Sequence, residues 1–182
     1  ETRKYVYRPP MAPLPSQAAA AMGGRSWDME AVVDRGDAEG GVIFATGTEN
    51  SGFSFYIFDN RLVFDYNFFG EHLVVRSHSE LPIGPSTLTC QLRRTGKAGY
   101  VVLLVNQEEV GRMELPFVMR VISSVGPSVA YDHGSPVAFD YANRSDGFPF
   151  EGTLDSVTIT LIDTKKDPKN AESQARAEMG RQ

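Results

Sequence analysis

The sequence predicts an all-β domain made of two packed sheets. Between residues 27 and 161, short apolar runs alternate with polar residues at every second position and stop at Gly, Pro, Asn or Asp. The 182 residues include 17 glycines and 11 prolines, which indicates many turns. A hydrophobic fraction of 41% is enough to build one core of ordinary domain size.

The first half of the domain contains a strong hairpin signal, preceded by two simpler strands. In the first strand, Trp27 and Met29 fall on one face, whereas Asp28 falls on the other. The pair Asp59-Asn60 tolerates positive φ angles and therefore predicts the hairpin turn. The alternation predicts strands over residues 26–33, 42–46, 53–58 and 62–68.

The second half continues the same pattern and includes one long loop, residues 132–150. Further strands are predicted over residues 73–77, 88–92, 100–105, 110–114, 128–131 and 153–161. About ten strands do not lie easily in one open sheet. The chain therefore predicts a β-sandwich of two sheets, of the jelly-roll or concanavalin type.

Both flanks differ from the domain, which is predicted to span residues 25–162. Residues 1–24 are rich in proline and predict an extended lead-in rather than a helix or a central strand. Residues 163–182 are dominated by charged side chains and predict a polar tail exposed to solvent.

Composition argues against several classes of partner and reaction. A net charge of −5 disfavours nucleic acid and anionic membrane surfaces. No apolar run approaches the roughly 20 residues that a membrane-spanning helix needs. Cys90 is the single cysteine, and its alternation with Leu88 and Leu92 predicts a buried thiol rather than a nucleophile. We expect no catalytic residues in the chain.

The predicted long loop is the candidate for a metal site. Asp132, Asp140 and Asp146 offer hard oxygen ligands of the kind that Ca²⁺ prefers. Their spacing does not match an EF-hand loop. The alternative is that these side chains cap turns, as Asp commonly does.

Aromatic side chains in the hairpin are the candidates for ligand binding. If Phe53, Phe55 and Ile57 point into the core, then Tyr56 and Phe58 point outward. Such an exposed pair suits a sugar ring that stacks on it. It equally suits packing against a neighbouring domain.

Three segments of the chain occur in an order and spacing that resemble one known family. They are Gly41–Gly47 followed by residues 52–67, then residues 126–136 with Gly134-Ser135-Pro136, then residues 148–159 (Phe-Pro-Phe-Glu-Gly-Thr-Leu-Asp-Ser-Val-Thr-Ile). Together they resemble the C-terminal region of large bacterial arylsulfatases, where a concanavalin A-like sandwich follows the catalytic αβ domain.

The resemblance implies a non-catalytic domain whose partner is that αβ domain. It would pack against the sulfatase domain or shape its active-site cleft. The parent enzyme would hydrolyse sulfate esters with a formylglycine and a divalent cation, both held outside this chain. The alternative is a lectin-like module that recruits glycans, including sulfated ones. Either function leaves the compartment open between bacterial cytoplasm and periplasm.

Overall fold

The predicted all-β sandwich is confirmed. The computed structural model describes residues 3–9, 21–120, 122 and 126–162, and these residues contain no helix. None of the described segments is therefore a helix long and apolar enough to cross a membrane. The strands are β1 (Arg3–Tyr7), β2 (Trp27–Arg35), β3 (Gly41–Gly47), β4 (Ser51–Phe58), β5 (Arg61–Phe68), β6 (Glu71–Arg76), β7 (Gly84–Thr95), β8 (Ala98–Val105), β9 (Glu108–Leu115), β10 (Ser128–Val129) and β11 (Thr153–Leu161).

The strands form two antiparallel sheets. Sheet A has six strands in the order β1-β11-β2-β7-β8-β9, and sheet B has five in the order β10-β3-β4-β5-β6. Asp59 and Asn60 both adopt positive φ angles in the turn between β4 and β5, as the hairpin signal predicts.

The core lies between the sheets and follows the predicted alternation. On β2, Trp27 and Met29 are buried, and on β4 so are Phe53 and Phe55. The Trp27 and Phe53 rings stack across the interface with centroids 5.3 Å apart. Along β2 and β4 every second residue enters this core, because side chains alternate between the faces of a strand, whereas β3 contributes the adjacent Ile43 and Phe44 at a register shift.

The N-terminal lead-in departs from the prediction in one respect. Residues 3–7 are extended, yet they belong to the sandwich as β1, the edge strand of sheet A, paired with β11. This strand, Arg-Lys-Tyr-Val-Tyr, contains no proline, and the first proline of the lead-in, Pro9, follows the end of the strand. Residues 10–20 and the predicted polar tail, 163–182, lie outside the described residues.

The outer face of sheet B is covered by the loop 130–152, which we call the cap. Apolar side chains from the cap and from three strands form a second buried cluster there, separate from the core: Val42, Ala45, Tyr56, Val63, Ala138, Tyr141 and Phe148. The cap returns along β3, where the Val42 N–H donates to the Phe148 carbonyl at 2.9 Å. Sheet B is therefore buried on both faces.

The core predicts a large cost for truncating an aromatic side chain. We expect Phe53→Ala to lower the free energy of unfolding by about 3–5 kcal/mol, since it removes a fully buried ring and leaves a cavity. Urea denaturation measures this change. The exposed Ile83 is the matched control, and Ile83→Ala should change stability by less than about 0.5 kcal/mol. Equal losses in the two variants would contradict the assignment of the core.

Candidate functional site

The outer face of sheet B carries polar side chains that the cap buries completely. Ser54 on β4 and both Asp65 and Asn67 on β5 are shielded from solvent. Because buried polar groups are costly without partners, each must find hydrogen bonds in the cap. Asn67 does so by donating to the Val137 carbonyl at 3.0 Å and to the Glu49 carbonyl at 2.8 Å.

A first polar cluster joins the cap to β4. The Tyr141 hydroxyl lies 2.8 Å from Ser54 Oγ and 2.8 Å from Asp132 Oδ2. The Val137 N–H donates to the same Asp132 oxygen at 2.9 Å. Burial raises the pKa of the Asp132 carboxyl despite these hydrogen bonds. Burial and the nearby Asp132 charge likewise raise the pKa of Tyr141 far above its ordinary value. This cluster is a structural anchor.

A second cluster fixes the backbone of Phe139. The Phe139 N–H donates to Asp65 Oδ2 at 2.9 Å, and Nδ1 of His72 on β6 lies 2.9 Å from each Asp65 oxygen. Burial raises the pKa of Asp65, although the bonds from Phe139 and His72 act in the opposite direction. Asp65 thus holds both the cap and the His72 ring.

A third cluster fixes the next residue of the cap. Asp140 accepts hydrogen bonds from both terminal nitrogens of Arg76 on β6, with 2.9 Å between Nη2 and Oδ1. The buried Tyr56 hydroxyl donates to Asp140 Oδ2 at 2.8 Å. Burial tends to raise the pKa of Asp140, but the bonds from Arg76 and Tyr56 outweigh it and hold this pKa below its ordinary value.

Between the second and third clusters, the Phe139 ring lies at the surface. Its side chain is 69% exposed, and its centroid lies 6.0 Å from that of His72. We call Phe139, His72 and the Arg76–Asp140 pair the platform. The Phe139 N–H is bonded to Asp65, and the side chain of the next residue, Asp140, is bonded to Arg76, so the backbone that carries the exposed ring is held on both sides. An exposed flat apolar face bordered by polar groups can bind a ligand by stacking and hydrogen bonding.

The three carboxylates predicted as calcium ligands serve separate interactions. Asp132 bonds Tyr141, Asp140 bonds Arg76, and Asp146 pairs with Arg144 and accepts the Phe148 N–H at 3.0 Å. Within the described ranges, no group of three or more His, Cys, Asp or Glu side chains is placed to hold a metal ion. Asp146, which accepts the N–H two residues further on, caps a turn as the alternative expects, whereas Asp132 and Asp140 bond to side chains further away in the sequence. Calcium binding stays a prediction.

Of the two side chains predicted to point outward, Tyr56 is buried and Phe58 is partly exposed. Tyr56 does point away from the core, but it is 0% exposed beneath the cap, so its predicted exposure is wrong. Its ring instead meets Tyr141 edge to face at 5.3 Å. Phe58 is 37% exposed and lies beside Phe148, and its role in ligand binding stays a prediction.

Sequence reasoning missed the platform for two reasons. Phe139 lies in an irregular loop, where no alternation assigns a side chain to core or surface. His72 and Arg76 share a parity on β6 that places both on the face toward the cap, but parity alone does not show which segment covers that face.

Comparison with known proteins identifies the fold. No protein-family model matches the chain, and no curated protein matches it. The CBM40 domain of the Ruminococcus gnavus IT-sialidase superposes with a TM-score of 0.56 at 13% identity, covering 82% of this chain and 83% of that domain.

Two other solved structures share the architecture. Domain 4 of AbnA, a GH43 extracellular arabinanase from Geobacillus stearothermophilus solved with arabinotriose, has a TM-score of 0.56 at 13% identity and covers 85% of this chain and 68% of that one. Domains LG4-5 of the mouse laminin alpha1 chain have a TM-score of 0.53 at 14% identity, covering 89% and 43%. At such low identity, this likeness establishes the β-sandwich alone.

The first polar cluster predicts that Tyr141→Phe destabilises the protein. Loss of this hydroxyl leaves buried Ser54 and Asp132 without a shared partner, which should cost about 1–3 kcal/mol in the free energy of unfolding. Urea denaturation measures the loss. Tyr100→Phe, on sheet A and outside the cap, is the matched control and should change stability little. A Tyr141→Phe variant as stable as the control would rule out an anchoring role.

Asp140 and Asp65 predict opposite dependences of stability on pH. The pKa of Asp140 is lowered in the folded state, so its contribution is present above about pH 4 and is lost as the pH falls through the folded pKa. The pKa of Asp65 is raised, so its contribution is present at low pH and is lost as the pH rises.

Unfolding free energies at about pH 5 and about pH 3 test both signs. On acidification, the stability of the wild type relative to Asp140→Asn should shrink, and that relative to Asp65→Asn should grow. Changes of the same sign in both comparisons would refute the assignment.

Proposed function

We propose that this chain is a non-catalytic, carbohydrate-binding module whose ligand stacks on Phe139. The fold is that of the CBM40 domain of a sialidase and of a domain solved with arabinotriose. Because a shared fold does not define a function, the proposal depends on the platform itself.

The observation that carries the proposal is the exposed but anchored Phe139 ring. A phenyl group that is 69% exposed gives up the stabilisation that burial would provide. Its backbone, in contrast, is fixed by Asp65 on one side and by the Asp140–Arg76 pair on the other. A backbone held in place before the ligand arrives loses little conformational freedom on binding. Sugar rings present apolar C–H faces that stack on such surfaces.

Polar groups beside the ring suit the hydroxyl groups of a sugar. His72 turns Nδ1 toward Asp65, which leaves Nε2 as the second polar atom of its ring. The Arg76 side chain, 41% exposed, places donors at the surface next to the Asp140 carboxylate, whose side chain is 9% exposed. A sugar hydroxyl both donates and accepts, so it can bond to either member of this pair.

The buried cysteine argues against a thiol nucleophile in this chain. Cys90, the single cysteine of the chain, is fully buried, and burial raises the pKa of its thiol well above the ordinary value. A reactive cysteine needs access and a lowered pKa. This thiol has neither.

A second candidate function is the one that the sequence resemblance favours: a domain that packs against the catalytic αβ domain of an arylsulfatase. The exposed Phe69 and Ile83 are observations that suit such a contact, since large exposed apolar side chains often mark interfaces. The formylglycine and divalent cation would then belong to the αβ domain. A formylglycine signature in the same polypeptide would decide in favour of this parentage.

The first candidate predicts that Phe139→Ala weakens glycan binding by about tenfold or more, the effect of removing a stacking residue at the centre of a site. Isothermal titration calorimetry with the best ligand from a glycan array measures the change. Phe69→Ala, which removes a phenyl ring of similar exposure outside the platform, is the matched control. Unchanged affinity in Phe139→Ala, or an equal loss in Phe69→Ala, would refute the platform as the binding site.

A further inference from the structure

Both basic side chains of the platform already have a carboxylate partner. The guanidinium of Arg76 uses its two terminal nitrogens on the two oxygens of Asp140. His72 faces Asp65 with Nδ1. The platform therefore presents polar groups without an unpaired positive charge for a ligand.

Asp140 is also held from the buried side and cannot leave Arg76 freely. The hydroxyl of Tyr56, which is fully buried, donates to Asp140 at 2.8 Å. If Asp140 moved away to admit another anion, this hydroxyl would lose its acceptor inside the cap, which is unfavourable. An incoming sulfate or carboxylate would instead meet the Asp140 carboxylate at close range, in a chain of net charge −5.

We infer that the platform binds a neutral oligosaccharide and disfavours sulfated or carboxylated sugars. This inference rests on the proposed function and specifies its ligand class. Sugar hydroxyls can donate to Asp140 and accept from Arg76 without separating the pair. An anionic substituent can bond only to Arg76, and it must compete with a bidentate, charge-assisted contact to do so. The ligand class therefore differs from the sulfated glycans considered in the sequence analysis.

The test uses an array of neutral oligosaccharides printed beside their O-sulfated and uronic-acid counterparts, followed by calorimetry on matched pairs. We expect the full chain to bind a neutral probe, and to bind its O-sulfated counterpart at least about fivefold more weakly. Phe139→Ala should weaken binding of both probes by about tenfold or more.

A second variant tests the role of the ion pair. Asp140→Asn removes the negative charge and frees Arg76, while the amide oxygen can still accept from Tyr56. The affinity ratio of sulfated to neutral probe should then rise by about fivefold. Asp146→Asn is the matched control: it frees Arg144, whose guanidinium lies 4.7 Å from the Phe148 ring rather than beside Phe139, and the ratio should stay constant.

The possible outcomes distinguish the proposed function, carbohydrate binding at Phe139, from the inference that the ligand is neutral. Preference for neutral probes, with a shifted ratio in Asp140→Asn alone, supports the inference. A wild type that prefers sulfated probes through Phe139 overturns the inference and keeps the proposed function. An unshifted ratio in Asp140→Asn overturns the role of the ion pair. If the wild type binds no probe, the proposed function fails, and the inference fails with it.

Discussion

The polar side chains buried on the outer face of sheet B are the constraint on which the rest of the structure depends. Ser54, Asp65 and Asn67 would be stable in contact with water, but the cap excludes water from all three. Each of the three has a hydrogen-bond partner in the cap. Ser54 bonds to the Tyr141 hydroxyl, Asp65 accepts from the Phe139 N–H, and Asn67 donates to the Val137 carbonyl. Since a buried polar group without a partner costs more than a paired one contributes, the cap has one favourable position on the sheet.

These hydrogen bonds fix the position of the cap, an irregular loop, on sheet B. The cap is held at two successive residues. The Phe139 N–H donates to Asp65, and the Asp140 side chain pairs with Arg76. The apolar cluster of Tyr56, Tyr141 and Phe148 fills the space beneath them. The Phe139 N–H is bonded to Asp65, and with the cap anchored in this way the Phe139 ring lies at the surface. Binding surfaces are often carried in this way by loops on a rigid scaffold.

The β-sandwich and the platform support different parts of the functional argument. The architecture is shared with domains of proteins as distant as a sialidase, an arabinanase and a laminin, at 13–14% identity. That breadth shows how little the fold alone specifies. On this chain's outer face, His72 faces Asp65 and Arg76 is paired with Asp140, and the proposed ligand class rests on these side-chain contacts rather than on the fold.

Strand parity could be read from the chain, because the alternation of side chains is a local property of an extended backbone. It correctly assigned Trp27 and Phe53 to the core, and it correctly directed Tyr56 away from it. What covers the far side of Tyr56 could not be read in the same way, because its partner Asp140 is 84 residues distant in sequence. Only the tertiary structure decided that the cap buries Tyr56 and leaves Phe139 exposed, since that outcome depends on hydrogen bonds between distant segments and not on any local pattern.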